Sequence, residues 1–294
     1  MNELSHFPVM VDEVISYIRP KNEHSYLDAT FGQGGYTSGI FTKAPKAKVV
    51  AVDQDSNSKT FINNFEEKLG ENLFFFSNKF SEIDSILEQV DVRLFDGIVM
   101  DLGMSNTQLN NPSRGFSFDK NGPLDMRMDT ERNKLTAEII INEYSEKELS
   151  DIFYYYGEER NSRKIARIIT KIRIKNHIRT TLDLCNIIKK INFDKKKNPS
   201  TRVFQALRIF INDELGELEL FLKKSINILQ HKGRIAVVAF HSLEDRIIKN
   251  FFKRMSEVPN GLNIITKKPL VPSSGEIKIN PRSRSAKLRV AEKK

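Results

Sequence analysis

The sequence predicts an α/β protein: a parallel sheet wrapped by helices and interrupted by an inserted helical lobe. Strand-like and helical patterns alternate from residue 26 to residue 110, as in parallel sheets with crossover helices. A glycine-rich turn follows the first strand, and an acidic residue ends the second strand at the spacing of a nucleotide-binding unit. A basic helical stretch then precedes one more apolar strand, so we expect the sheet to resume after the insertion.

The first half of the chain contains four predicted strands with a helix after each of the first three. Because the carboxyl ends of parallel strands meet at one edge of a sheet, we expect the glycine turn, Asp53, Phe80 and Asp101 to gather in one crevice. The predicted strands span residues 26–30, 49–53, 73–77 and 97–101.

The glycine turn favours one cofactor without settling the choice. A dinucleotide fingerprint requires a third glycine where this chain has Thr37, so the match to NAD is incomplete. Asp28 before the turn and the doubled Gly34 and Gly35 suit a ligand with an amino-acid end, and Asp53 suits ribose hydroxyls. S-adenosylmethionine has both parts. An NAD-dependent oxidoreductase stays open as an alternative.

Composition excludes several classes of protein. With a single cysteine, Cys185, the chain has no internal disulfide or thiolate cluster. Its five histidines lack the spacing of metal ligands, so no metal site is predicted. The longest apolar run, residues 235–240, is too short to cross a membrane, and no signal peptide fits the first residues. We therefore expect a cytoplasmic protein without a membrane partner; its oligomeric state stays open.

The positive charge of the chain is local. The net charge is +9, but residues 160–208 contain fifteen Lys or Arg against two Asp, so this segment carries +13 and the remainder carries −4. A concentrated cationic surface is typical of proteins that bind a polyanion. The expected partner is RNA or DNA.

The second half of the chain begins with a long loop rich in Asn, Gly and Pro around residues 110–123, followed by helical patterns from 137 to about 190. Within them, Ile165, Ile168, Ile169 and Ile172 share one helical face. Cations at the same spacing form another face, which is either a polyanion-binding surface or merely solvated. These cations are Arg160, Lys164, Arg167 and Lys171.

The remaining segments complete the predicted organisation. Residues 195–199 are expected to form a linker, 204–229 a helical segment and 234–240 a strand. The basic residues 282–289 are expected to be a flexible tail that contacts phosphates or frays. The predicted domains are a first core part at 1–109, an inserted helical RNA-recognition domain at 110–203, and a second core part with the basic tail at 204–294.

Several segments together resemble the RsmH (MraW) ribosomal RNA methyltransferases of bacteria over nearly the whole chain. The resemblance implies a class I, Rossmann-like methyltransferase fold with an inserted helical domain and S-adenosylmethionine as methyl donor. It also implies methylation of a cytosine N4 in the decoding region (P site) of 16S ribosomal RNA, within the small subunit. The segments are HFPVM (6–10), the glycine turn, DLGMS (101–105), RGFSF (114–118), GPLDMRMD (122–129), FQALR (204–208) and FHSLEDR (240–246).

The resemblance also implies which residues contact the cofactor. This sequence departs from many relatives at Tyr36, where they carry histidine. A phenol can donate one hydrogen bond but does not become cationic near neutral pH, so only a backbone role is expected at this position. The implied contacts are Gly34, Gly35, Tyr36, Asp53, Phe80, Asp101 and Gln108.

Each residue that could contact the substrate has two possible interpretations. His241 follows a strand and precedes a helix, where it either contacts the target base or caps the helix. Arg114, Asp125 and Arg127 lie in the long loop, where they either contact RNA or hold the loop together by ion pairs. The Asp/Asn/Ser-Pro-Pro-aromatic tetrapeptide of DNA amino-methyltransferases is absent, so the sequence identifies no catalytic base. A non-catalytic RNA-binding assembly factor with the same fold is the second hypothesis.

Overall fold

The computed structural model describes residues 8–191 and 198–294. The chain divides into two compact units, one made of Met1–Gly103 with Leu215–Lys294 and the other of Met104–Glu214. We call them the sheet unit and the helical unit. His6 and Phe7, which begin the first resemblance segment, and residues 195–197 of the predicted linker lie outside the described residues.

In the sheet unit, the strands form one seven-stranded sheet in the order β3-β2-β1-β4-β5-β7-β6. All neighbouring strands are parallel except that β7 runs antiparallel to both β5 and β6. This is the class I methyltransferase arrangement expected from the resemblance, and the predicted parallel α/β class is confirmed. The strands are β1 (Ser25–Asp28), β2 (Lys48–Val52), β3 (Leu73–Phe76), β4 (Phe95–Asp101), β5 (Leu229–Ala239), β6 (Leu262–Ile264) and β7 (Lys287–Lys293).

The helices divide between the two units, with short 3₁₀ turns between several of them. The first four and the last two belong to the sheet unit together with nearly all of α11. They are α1 (Val11–Ile18), α2 (Gly35–Lys43), α3 (Lys59–Leu69), α4 (Ile83–Leu87), α5 (Asn106–Asn110), α6 (Ala137–Glu143), α7 (Glu146–Tyr155), α8 (Ser162–Arg173), α9 (Thr181–Lys189), α10 (Thr201–Asn212), α11 (Glu214–Ile228), α12 (Ser242–Ser256) and α13 (Ser274–Ile279).

Burial on both faces explains why the central strands read as continuous apolar runs. Ile98, Val99 and Met100 of β4 are fully buried, as are their β5 neighbours at 235–238. Ile98 and Met100 belong to one hydrophobic cluster, whereas Val99 belongs to another. Successive side chains of a strand point to opposite faces. Parallel strands covered on both sides therefore lose the polar alternation of exposed sheets.

The prediction of a flexible basic tail at residues 282–289 is wrong. Residues 287–293 form β7, and Leu288 and Val290 are fully buried between neighbouring strands. Arg289 donates to Asp245 at 2.6 Å, so its charge is paired inside the sheet unit. The alternation of apolar and charged residues in this strand was the available signal, and the basic composition obscured it.

The predicted helical segment at 204–229 is two helices. Asp213 adopts a left-handed conformation (φ 48°) that ends α10, and α11 begins at the next residue. Arg208 donates two hydrogen bonds of 2.7 Å to the Glu214 carboxylate across this break. Because a left-handed residue interrupts the helical hydrogen-bond ladder, α10 ends here although the apolar spacing continues.

The helical unit confirms the two predicted faces of α8. Ile165 and Ile169 are fully buried in the core cluster of this unit, with Ile168 and Ile172 packed against it. The cations Lys164, Arg167 and Lys171 of α8 are exposed, whereas Arg160, predicted on the same helical face, is exposed in the turn before the helix. This compact unit, at 104–214, is wider than the 110–203 interval expected from the sequence. Among the helices described, none combines the length and apolar character needed to span a membrane.

Candidate functional site

Three carboxylates lie at the carboxyl ends of β1, β2 and β4 in the sheet unit. Asp28 is the last residue of β1, Asp53 directly follows β2, and Asp101 is the last residue of β4. Strand β1 pairs with both other strands, so the three ends are neighbours. The crevice predicted from the alternation of strands and helices therefore has an acidic floor.

Asp28 is held by the first turn of α2. Its Oδ2 accepts hydrogen bonds from the Thr37 hydroxyl at 2.7 Å and from the Thr37 amide at 3.2 Å. Burial raises the pKa of Asp28 to about 6, while the Thr37 bonds oppose that rise. Thr37 stands where a dinucleotide fingerprint has its third glycine, and its fully buried side chain ties strand to helix. The sequence showed Thr37 only as a missing glycine.

Asp53 and the glycine turn are in direct contact. The Gly32 amide donates to Asp53 Oδ2 at 2.6 Å, and the Asp55 amide donates to Oδ1 at 2.8 Å. Gly32 and Gly34 have φ of 55° and 78°, a region that suits glycine. Burial raises the pKa of Asp53 to about 6. The Ser58 side chain makes a third hydrogen bond to this carboxylate. A carboxylate has about four acceptor sites, so Asp53 can still accept a bond from a ribose hydroxyl.

Asp101 is connected to the same turn through Thr30. The Asp101 amide donates to the Thr30 hydroxyl at 2.6 Å, and the Gly103 amide donates to Asp101 Oδ1 at 3.0 Å. Burial raises the pKa of Asp101 to about 7, and the negative charge of Asp28 adds to the rise. This carboxyl group is therefore close to half protonated at neutral pH.

The donor set of the crevice fits S-adenosylmethionine. Three partly desolvated carboxylates repel one another, and a cationic ligand offsets this repulsion. The sulfonium and the ammonium of S-adenosylmethionine supply two positive charges. Its carboxylate matches the amides of Gly35 and Tyr36 at the start of α2, since the Thr37 amide already donates to Asp28.

Gly34 and Gly35 are positions where a side chain has no room. A Cβ at Gly34 would lie 2.5 Å from the Phe65 ring, and one at Gly35 would lie 2.4 Å from Pro8. Tyr36 is buried, and its hydroxyl donates to the Val9 carbonyl at 2.8 Å. Its side chain therefore braces the N-terminal segment, and only its backbone is left for the crevice.

Phe80 is held by two residues of α11 that the sequence did not identify. Its ring packs edge-to-face on Phe221 with centroids 5.4 Å apart. Glu217, one helical turn earlier, accepts a hydrogen bond from Lys79 at 2.8 Å and another from the Ser81 hydroxyl. Glu217 thus holds both neighbours of Phe80. Because α11 lies more than a hundred residues later in the chain, no local pattern could reveal this contact.

Gln108 belongs to the helical unit, where it caps α5. The side-chain Oε1 of Gln108 accepts a hydrogen bond from the Ser105 backbone amide at 3.1 Å, and the backbone amide of Gln108 donates to the Ser105 hydroxyl at 3.2 Å. The side chain is buried. These bonds define a capping box, which gives Gln108 a structural role in addition to the cofactor contact implied by the resemblance.

Arg114, Asp125 and Arg127 hold the long loop of the helical unit together. Arg127 makes a bidentate pair with Asp125 at 2.8 and 2.7 Å. Arg114 donates to the carbonyls of Arg127 and Met128 at 3.0 Å. Burial alone would raise the pKa of Asp125, but hydrogen bonds from Arg127 lower it. The structure therefore gives these three residues the loop-holding contacts that were one of their two interpretations.

His241 is the N-cap of α12. Its Nδ1 accepts from the Glu244 amide at 3.4 Å, and the Glu244 carboxylate accepts from the His241 amide at 3.2 Å. His241 Nε2 lies 3.0 Å from Glu244 Oε1 without hydrogen-bond geometry. The imidazole is nearly buried in these contacts, so the capping interpretation is the one that the structure shows.

Comparisons with known proteins extend this picture. The sequence pattern of the MraW methylase family matches residues 3–294. A Neorickettsia sennetsu protein named ribosomal RNA small subunit methyltransferase H is 46% identical over 295 residues, covering 99% of this chain and 97% of the relative. The protein of the same name from Ehrlichia ruminantium (strain Gardel) is 44% identical and covers 97% and 98%. Among solved structures, an rRNA methylase from Streptococcus thermophilus aligns with a TM-score of 0.43 at 11% identity, covering 96% of this chain and 93% of that chain.

Proposed function

Because this chain belongs to the MraW methylase family, we propose that it methylates ribosomal RNA of the small subunit with S-adenosylmethionine as donor. The proposed target is the N4 amine of a cytosine in the P site of 16S ribosomal RNA, as the resemblance implies. The observation that carries the proposal is the acidic crevice at the ends of β1, β2 and β4, where the Asp53 carboxylate contacts the glycine turn at 2.6 Å.

The residues of the crevice have separate tasks in this proposal. Asp53 accepts hydrogen bonds from the ribose hydroxyls, and the first amides of α2 receive the carboxylate of the amino-acid end. Asp28 and Asp101 offset the positive charges. Phe80, held by Glu217, supports the adenine ring. Gln108 is assigned to the cofactor by the resemblance alone.

For this reaction, the alignment of the cytosine amine with the methyl group matters more than any side chain that would take part in bond formation. Bound S-adenosylmethionine supplies an electrophilic methyl group: the N4–methyl bond forms as the sulfur–methyl bond breaks, and N4 loses one proton. The cytosine amine is a weak nucleophile because its lone pair is delocalised into the ring. Holding it in line with the methyl group is therefore the main task of the chain. No residue is assigned as the proton acceptor.

The helical unit supplies the second requirement, which is a surface for RNA. The exposed cations of α8 can hold phosphates, which positions RNA without reading its sequence. A base inside a duplex cannot reach a buried methyl group, so the target nucleotide must be unstacked or single-stranded.

Label transfer tests the proposal directly. The protein is incubated with methyl-labelled donor and small ribosomal subunits from cells that lack it, and the digested RNA is analysed by mass spectrometry. The expected product is one N4-methylcytosine in the P-site region of 16S ribosomal RNA. Absence of label would favour the non-catalytic assembly factor, and label on another base would overturn the substrate assignment.

A further inference from the structure

Two adjacent tyrosines at the end of α7 are exposed to solvent. Tyr154 retains 56% and Tyr155 retains 64% of its accessible surface, although aromatic side chains usually contribute to a core. The preceding residue, Phe153, is fully buried in the core of the helical unit. Phe153 therefore anchors the end of α7 in this core, whereas neither tyrosine is among the residues of the core cluster described for the unit.

The geometry of the two rings suits contact with flat ligands. Their centroids lie 5.2 Å apart and their planes make an angle of 80°. Because the rings are nearly perpendicular, they cannot both stack on the same base. Instead, each ring can stack on a different base, which suits a single-stranded nucleic acid whose neighbouring bases are not stacked on one another.

Two exposed arginines lie in the turn after α7 and in the first turn of α10. The Glu159 amide donates to the Phe153 carbonyl at 3.1 Å, so the turn after α7 folds back and places Arg160 near the end of the helix. Gly157 has no room for a side chain, because a Cβ there would lie 2.4 Å from the Arg202 carbonyl oxygen. The first turn of α10 is therefore packed against the same turn.

The two arginines of this surface, Arg160 and Arg202, are exposed and have no carboxylate partner among residues 8–191 and 198–294. In α7, α8 and the turn between them the exposed acidic side chains are fewer than the exposed cations, and one acid, Glu146, pairs with Arg167 at 3.4 Å. The acids are Glu146, Glu148, Asp151 and Glu158, and the cations are Lys147, Arg160, Arg163, Lys164, Arg167 and Lys171. Aromatic faces combined with unpaired arginines are the features that bind single-stranded nucleic acid, where bases stack and phosphates are held by cations.

We propose that Tyr154 and Tyr155 stack on unpaired bases of the RNA substrate while Arg160 and Arg202 hold the neighbouring phosphates. We call these four residues the tyrosine surface. The inference rests on the proposed function, since it assumes an RNA substrate, and it adds where that RNA lies on the helical unit and how it is held. Stacking accepts any base, so this surface supplies affinity rather than sequence choice.

The test separates stacking from charge. Binding of the full-length protein to a fluorescent single-stranded RNA of about 12 nucleotides is measured by anisotropy between about 50 and 200 mM salt. The double variant Tyr154→Ala/Tyr155→Ala is expected to bind about tenfold more weakly, with the salt dependence unchanged. Arg160→Gln/Arg202→Gln is expected to reduce the slope of log affinity against log salt by about 1 to 2.

Two control variants make the result specific to aromatic stacking. Tyr154→Phe/Tyr155→Phe keeps the rings and is expected to bind like the wild type. Ile279→Ala removes an equally exposed apolar side chain from the sheet unit, where Ile279 is 71% exposed, and is expected to change nothing. Equal melting temperatures show that the variants are folded, which is expected because both tyrosines are exposed. The single variants Tyr154→Ala and Tyr155→Ala are each expected to lose part of the affinity.

Two outcomes overturn the inference: wild-type affinity in the double alanine variant, or equal loss in the phenylalanine variant, which would implicate the hydroxyls. Label transfer to small subunits is measured with the same preparations. If the wild type transfers label but the alanine variant binds RNA normally, the inference fails and the proposed function stands. If the wild type transfers no label, the proposed function fails, and the binding comparison still decides whether the surface stacks on RNA.

Discussion

The sheet unit and the helical unit place opposite charges in opposite environments. In the sheet unit, Asp28, Asp53 and Asp101 lie together at strand ends, and burial raises the pKa of each. In the helical unit, the cations of α8 stand exposed on one face. Buried charges interact strongly and are little affected by salt, whereas exposed charges are screened. In the proposed function, the desolvated carboxylates of the sheet unit bind a small cationic ligand, and the solvated Lys and Arg side chains of the helical unit bind a polyanion.

The largest expected effect concerns the carboxylate that contacts the glycine turn. Asp53→Ala removes the acceptor for the ribose hydroxyls and for the Gly32 amide, so the affinity for S-adenosylmethionine is expected to fall by about 100-fold or more. Isothermal titration calorimetry measures it. Asp91→Ala, at an exposed position of the same unit, is the control. Wild-type affinity in the Asp53 variant would contradict the assignment of the crevice.

The next effect tests the support of Phe80. Glu217→Ala frees Lys79 and Ser81 on either side of Phe80, and we expect about tenfold weaker cofactor binding because the ring is no longer preorganised. Glu219→Ala, an exposed position on the same helix, should bind normally. Glu217→Gln keeps an acceptor and is expected to fall between the two. If all three variants bind alike, Glu217 has no role in positioning Phe80.

The pH dependence of cofactor affinity tests the acidic floor of the crevice. Asp28 and Asp53 have pKa values of about 6 and Asp101 of about 7. Below these values the carboxyl groups are protonated and neutral, so affinity for a ligand with two cationic groups is expected to rise about tenfold between roughly pH 6 and 8. Binding should release protons, which calorimetry in buffers of different ionisation enthalpy detects.

The product provides a matched control for this pH dependence. S-adenosylhomocysteine has no sulfonium charge, so its affinity should rise less over the same range. Asp101→Asn should flatten the upper part of the profile obtained with S-adenosylmethionine. An equal slope for both ligands would show that the carboxylates do not sense the sulfonium.

Salt dependence contrasts the two units directly. Lys164→Gln or Lys171→Gln on the exposed face of α8 is expected to weaken RNA binding a few-fold at low salt and to reduce the salt slope by about 1. The affinity for S-adenosylmethionine should be unchanged in these variants and nearly independent of salt in the wild type. A loss of cofactor affinity in the lysine variants would break the proposed division of labour between the units.

The smallest expected effect concerns Tyr36. Tyr36→Phe removes one buried hydrogen bond to the Val9 carbonyl and is expected to lower the free energy of unfolding by about 1 kcal/mol. Cofactor affinity should be unchanged, since only the backbone of this residue faces the crevice. Denaturant unfolding and calorimetry measure the two quantities. A marked loss of cofactor affinity would show that the phenol acts in binding.

Much of the sheet unit was predictable because its signals are local. Strands β1, β2, β3 and β4 were predicted to within about two residues, since each is an apolar run bounded by turn residues. The predictions were wrong for two segments: the C-terminal strand and the end of α10. The basic residues at the C-terminus obscured the alternation that makes β7 a strand, and the continuous apolar spacing around Asp213 obscured the end of α10.

The features of the candidate site also divide into those that the sequence predicted and those that it did not. The sequence by itself determined the α/β class, the glycine turn with Asp53 at its proper distance, and the cationic face of α8, because each depends on residues close together in the chain. Only the tertiary structure decided that Thr37 holds Asp28, that Glu217 holds the residues beside Phe80, and that Tyr36 turns to Val9. Most of these contacts join segments far apart in sequence. Which side chain a buried polar group finds depends on packing, and packing is set by the fold as a whole.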